Sequence, residues 1–180
     1  VGVRRLTRPG AGTAERELTP RDVANVSEAR LVVYEKGLQG AVDKAVQSEA
    51  GNRSLDVAPA AHLNLLFQPM IGAPTEASGA NAQGTVDPHF WLDPNRYSDV
   101  ATTIYDRLSR IDPANKASYL ENATAFKAKL ARLHGAFAAG TANRWRKDTI
   151  PRHAAIGNLA HASGTVLPPN PRQSPPQGPP

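Results

Sequence analysis

The chain has 180 residues, 40% of them hydrophobic, enough to enclose a core and too apolar for disorder along its whole length. It has no cysteine, which excludes disulfides, thiolate metal sites and cysteine nucleophiles, so any metal here is held by His, Asp or Glu. Lysine and arginine outnumber the acids 21 to 16, but the surplus is spread thinly, and neither nucleic-acid binding nor a membrane span is expected, since no run of eighteen apolar residues occurs.

The first residues, VGVRRLTRPGAGT, lack the apolar stretch of an export signal, so the chain as written is expected to carry none of its own. Thr19 can cap a helix whose first residue is Pro20, with Asp22 completing a capping box and Val23 and Val26 facing inward. LVVY at Leu31 to Tyr34 then reads as a short strand of the kind buried in parallel sheets. Leu38, Ala41, Val42, Ala45 and Val46 share one helical face, and Gly51-Asn52 turns the chain into a second strand, Ser54 to Val57. Helix, strand, helix, strand predicts an α/β layer.

Pro59 to Pro88 is polar and lacks periodicity, a loop long enough to be functional or mobile. Asp93-Pro94 then caps a helix with the apolar stripe Tyr97, Val100, Ile104, Leu108 and Ile111, and Asp112-Pro113 opens another. In the latter, Tyr119, Ala123, Phe126, Leu130, Leu133 and Phe137 recur at steps of four and three, predicting a continuous helix from Pro113 to about Ala139, roughly 40 Å long. A helix of that length braces two lobes or packs along another helix. The final stretch, PPNPRQSPPQGPP, holds seven of the 16 prolines and no large apolar side chain, and is expected to be disordered.

Five histidines are the candidate ligands or bases: His62, His89, His134, His153 and His161. His134 lies one residue off the apolar stripe and His161 in a short helical stretch, so both are expected to face solvent. His62 sits in the long loop with no partner nearby in sequence. His89 differs, because VDPHFWLDP sets it between two Asp-Pro turns that fix the backbone and aim the side chain, while the adjacent aromatics wedge the segment into the core. A buried Trp91 and a His89 on a concave surface are the expectation. His89 paired with Asp87 or Asp93 has the makings of a general base, but no Gly-rich elbow presents a nucleophile, so an enzyme is not expected.

ELTPRDV at Glu17 to Val23, SEARLVVY at Ser27 to Tyr34, GLQGAVDKAV at Gly37 to Val46, DPHFWLDP at Asp87 to Pro94, IDPANKASYLENATAFKAKL at Ile111 to Leu130 and HAAIGNLAHASG at His153 to Gly164 resemble, in order and spacing, the metal-binding solute receptors of bacterial ABC importers, the zinc and manganese group that includes lipoprotein adhesins. The resemblance implies two α/β lobes joined by one long helix, with a divalent cation between them held by three histidines and one carboxylate. It implies an N-terminal lobe over 1–112 lacking its first strand and helix, a connecting helix over 113–142, the start of a C-terminal lobe over 143–167 and the proline-rich tail over 168–180. It also implies a periplasmic or other extracytoplasmic location and a membrane permease as partner.

Carried over by position, the family's second and third histidines fall on His89 and His153. Its first falls on Ala14, where PGAGTAERELTP departs from the pattern, and a methyl group cannot coordinate a cation. The carboxylate ligand has no counterpart. Glu15, beside the vacant position, and His62 are the candidate substitutes. Ala58 to Val86 holds one histidine and one glutamate, so there is no His-rich metal-gathering loop, and the residues do not choose between Zn2+ and Mn2+. Two histidines with water completing the shell bind far more weakly than a closed site. A second reading follows, a scaffold that keeps the fold as an interaction module and has lost the metal.

Overall fold

The structure, a computed structural model, describes residues 2–6, 17–66, 86–142 and 157–164. Helix α1 (Pro20–Glu28) starts as its residues dictate: Thr19 accepts from the Asp22 backbone N–H at 3.2 Å, and Asp22 reaches back to the Thr19 N–H at 3.0 Å. Strands β1 (Val32–Tyr34) and β2 (Ser54–Asp56) pair in parallel, Val32 opposite Ser54 and Tyr34 opposite Asp56.

The crossover between the strands departs from expectation. Helix α2 begins at Gly40 rather than near Leu38, because Gly37 turns the chain at φ +89° and donates its N–H to Asp43 Oδ2 at 3.0 Å. The helix does not stop at Ala45 but widens into a π-type turn, Val46–Ala50, followed by a tight turn, Gly51–Arg53. That widening turns Val46 and Ala50 into the core with Val26, Val32 and Val42. Arg53 ties the layer together by donating to the carbonyls of Ser27, Ala29 and Glu49. Those oxygens lie at or just past helix ends, where carbonyls lack helical partners.

A second core cluster, Val57, Ala61, Phe90 and Val100, lies beyond β2. Helix α3 (Pro94–Ile111) packs there and lies along α4 (Lys116–Ala142). The long helix is continuous, as its stripe predicts, but Pro113–Asn115 forms a tight 3-10 turn before it, and Asp112 bonds Asn115 and Tyr119 through its side chain instead of capping the helix backbone. Within α4 only Leu130 is fully buried, and Leu133 is 57% exposed. Helix α5 (Gly157–Ser163) rests on α4 and on the Phe90–Leu92 turn. No helix among the described residues is long and apolar enough to cross a membrane. The proline-rich tail lies outside the described residues.

Candidate metal centre

The segment from Val86 to Pro94 is held at both ends. Val86 forms an antiparallel bridge with Leu66, and the Asp87 N–H donates to the Leu65 carbonyl at 2.7 Å, so the two ends of the long loop meet under the site. Phe90–Leu92 then makes one 3-10 turn, and Asp93 closes it by capping α3, accepting from the Asn95 and Arg96 N–H groups at 2.9 and 3.4 Å. Both Asp-Pro pairs therefore act as the sequence predicts.

Inside this frame Asp87 and His89 form one unit. Asp87 Oδ1 accepts the His89 backbone N–H at 3.0 Å and lies 2.6 Å from His89 Nδ1, with the two residues 2% and 7% exposed. A carboxylate at that distance holds the proton on Nδ1 and makes Nε2 the nitrogen suited to a metal, the way ligating histidines are oriented. Trp91 meets the imidazole edge-on at 5.2 Å, and edge contacts continue from Trp91 to Phe90 (5.6 Å), Phe90 to Tyr97 (5.8 Å) and Tyr97 to Phe126 on α4 (5.2 Å). The turn is thus wedged in place by aromatic rings, as expected, although Trp91 is half-buried rather than enclosed, because its other side lines an open groove.

That groove runs between the turn, α4 and α5, holds about 200 Å³ and is walled by Trp91, Leu133, Phe137 and Leu159. His89 is not in its wall; the concave surface next to the turn is reached by Trp91 instead. His134, expected to face solvent, is half-buried and lines the groove, because α5 packs over that side of α4. His161 is exposed, as its position in the sequence suggests.

Acids gather near Asp87. Glu35 follows β1 and Asp56 ends β2, so both lie at the carboxyl ends of the two parallel strands, and the charge of Asp87, at the start of the turn, reaches Glu35. Burial, then the negative charges of Asp56 and Asp87, push the Glu35 carboxyl up to about 8. Its Oε2 is buried with no hydrogen-bond partner among the described residues. Burial and the charges of Asp56 and Asp43 likewise push the Tyr34 hydroxyl up. Asp56 and Asp87 thus place negative charge beside Glu35 in a chain whose net charge is +5.

His62 stands on the turn after β2, where its φ of +48° is the one left-handed conformation at a non-glycine residue among the described residues. Its Nε2 lies 3.8 Å from Asp99 Oδ2 on α3 in an exposed pair. Among the described residues no three His, Asp or Glu side chains converge as a metal-binding group. Ala14, Glu15 and His153 lie outside the described residues.

Three residues near the site were not singled out from sequence. Glu35 had a readable signal, an acid directly after a buried strand. Gly157 and Asn158 had none, because their meaning comes from contact with Asp87, far away in the chain.

A model of the periplasmic zinc-uptake complex component A family, ZnuA, matches residues 1–177. The high-affinity zinc uptake system protein ZnuA of Bacillus subtilis is 28% identical over 169 residues, which span 91% of this chain and 52% of that protein. The zinc-binding lipoprotein AdcA of Streptococcus pneumoniae is 29% identical over 160 residues, 84% of this chain and 31% of AdcA. The crystal structure of Zn(II)-bound AdcA from S. pneumoniae superposes with a TM-score of 0.73 at 27% identity, covering 92% of this chain and 33% of that one. The chain thus spans about half the length of the Bacillus relative and a third of AdcA. The architecture read from the sequence, an α/β lobe and long helix of a two-lobed solute-binding fold, is the one these comparisons show.

Proposed function

The chain belongs to the zinc-uptake component A family, and we propose that it binds a divalent metal ion, Zn2+ or Mn2+, outside the cytoplasm and delivers it to the membrane permease of an ABC importer. The observation that carries this reading is the Asp87–His89 pair, an imidazole locked by a buried carboxylate on a rigid turn. His89 and His153 are the ligands, and Glu15 or His62 supplies what Ala14 does not. The role is capture and release, not catalysis.

Such a site binds zinc weakly for the family, since two imidazoles leave half of a tetrahedral shell to water or to substitutes. Calorimetric titration with zinc on the parent chain and on His89→Ala tests it. Weak one-site binding that disappears in His89→Ala is the expected result, and equal heats from both proteins would overturn the assignment. The second reading, a member that keeps the scaffold and has lost the metal, is favoured by Ala14 at the first-ligand position, and a parent chain that takes up neither Zn2+ nor Mn2+ establishes it.

A further inference from the structure

We infer that Gly157 is a positioning residue for His89, acting through Asp87: the absence of a side chain at the start of α5 is what lets the Asp87 carboxylate stand against that helix and hold the imidazole at the same time. A Cβ built on Gly157 would lie 2.5 Å from Asp87 Oδ2 and 3.6 Å from its Cγ, closer than a carbon and an oxygen can approach. Asp87 cannot easily yield. Its Oδ1 is engaged twice by His89, its backbone N–H is bound to Leu65, and the residue is 2% exposed.

Backbone freedom does not explain this glycine. Gly37, Gly51 and Gly164 have positive φ, and Gly157 is not among them. It opens a helix, where alanine is the better helix former. Three other helical glycines, Gly40 at the start of α2 and Gly135 and Gly140 in α4, would meet nothing within 4 Å if given a Cβ, so among the described glycines close approach is particular to Gly157. The next residue supplies a second contact from the same helix. Asn158 is fully buried, and its Nδ2 donates to the Asp87 carbonyl at 3.5 Å. The seating of α5 is thereby transmitted to a histidine far away in the chain, through one carboxylate. The inference rests on the proposed metal reading only for its effect on affinity, not for the coupling itself.

The test uses the whole 180-residue chain with 15N-labelled histidine. In metal-free protein near neutral pH, His89 is expected to carry its proton on Nδ1, and Gly157→Ala to move it toward the Nε2-protonated form that imidazoles favour in water. Zinc affinity should fall in parallel by about 10- to 100-fold, the usual effect of disturbing a partner that orients a ligand. Added to Asp87→Ala, the Gly157→Ala change should produce no further shift, because its route to His89 is already gone, and Gly135→Ala should leave His89 as it is. If Gly157→Ala does not fold, Asn158→Ala carries the test, with a smaller shift in the same direction expected.

A His89 signal untouched by the substitutions near Asp87, or an undiminished Gly157→Ala shift in the Asp87→Ala chain, would overturn the coupling. A tautomer shift in a chain that ignores zinc would support the coupling and overturn the metal reading.

Discussion

Arg96 and Asp93 form an ion pair inside the protein, Nε 3.3 Å from Oδ2, with both residues under a tenth exposed. The guanidinium also donates to the Ala61 and His62 carbonyls and to Asn64 Oδ1, so one side chain fastens the turn after β2 to the start of α3. Arg96→Met strands a buried carboxylate and three acceptors, and is expected to cost about 3–5 kcal/mol in urea unfolding. Asp93→Asn should cost less, because an amide oxygen still caps α3. Equal losses from the two would show that the ion pair, which both variants break, matters and that the carbonyl bonds of Arg96 add nothing.

The Glu35 carboxyl gives the fold a pH dependence of definite sign. Folding raises its titration to about 8 from the ordinary 4.5, so the folded chain holds the proton more tightly than the unfolded chain. Stability from this group is therefore full below pH 4.5, declines as pH rises toward 8 and levels off above it. Glu35→Gln should flatten that decline and stabilise the protein at pH 9 by about 1–2 kcal/mol, a value kept small by the hydration the carboxyl retains. Unfolding curves for both chains across this range, parallel at every pH, would contradict it.

The opposite sign applies at the α3–α4 junction. The Tyr119 hydroxyl donates to Asp112 Oδ2 at 2.7 Å, and this bond, with help from Asn115, holds the Asp112 carboxyl below the usual carboxylate range. The contribution is present above the unfolded carboxylate's range and is lost as pH falls through the lower, folded value. Tyr119→Phe should move the Asp112 titration upward in an NMR pH series, while Tyr105→Phe should leave it where it is.

At the candidate site, Ala14→His should raise zinc affinity at least tenfold, about 1.4 kcal/mol, by restoring the third imidazole of the family's pattern. Calorimetry on Ala14→His and on Ala14→His with His89→Ala separates a completed site from an adventitious one. The gain must vanish in the double variant. A gain that survives there would mean that position 14 binds zinc without His89.

Local chemistry was legible in the sequence and contact across the chain was not. The Thr19 box, the Asp93-Pro94 start and the α4 stripe all form from residues within a turn or two of one another, where capping and periodicity act. Leu38 shared the helical face of α2, yet the left-handed turn at Gly37 delays the helix past it. His134 is half-buried where its sequence neighbours point to solvent, because its cover comes from α5, more than twenty residues further on. His89 could be singled out from its Asp-Pro brackets, but its partner could have been either acid, and only the fold selects Asp87 for the imidazole while giving Asp93 to α3 and Arg96.

Helix α4 lies along α3, with Phe126 against Tyr97, and further on meets α5 beside Leu133 and Phe137. A straight helix with its backbone bonds intact behaves as a stiff lever. From Phe126 to Ala142 it extends roughly 24 Å, so a tilt of about 10° at the Tyr97 contact swings its far end by roughly 4 Å. A change of seat at that aromatic contact large enough to tilt the helix so far thus appears at its other end as a displacement larger than a methyl group.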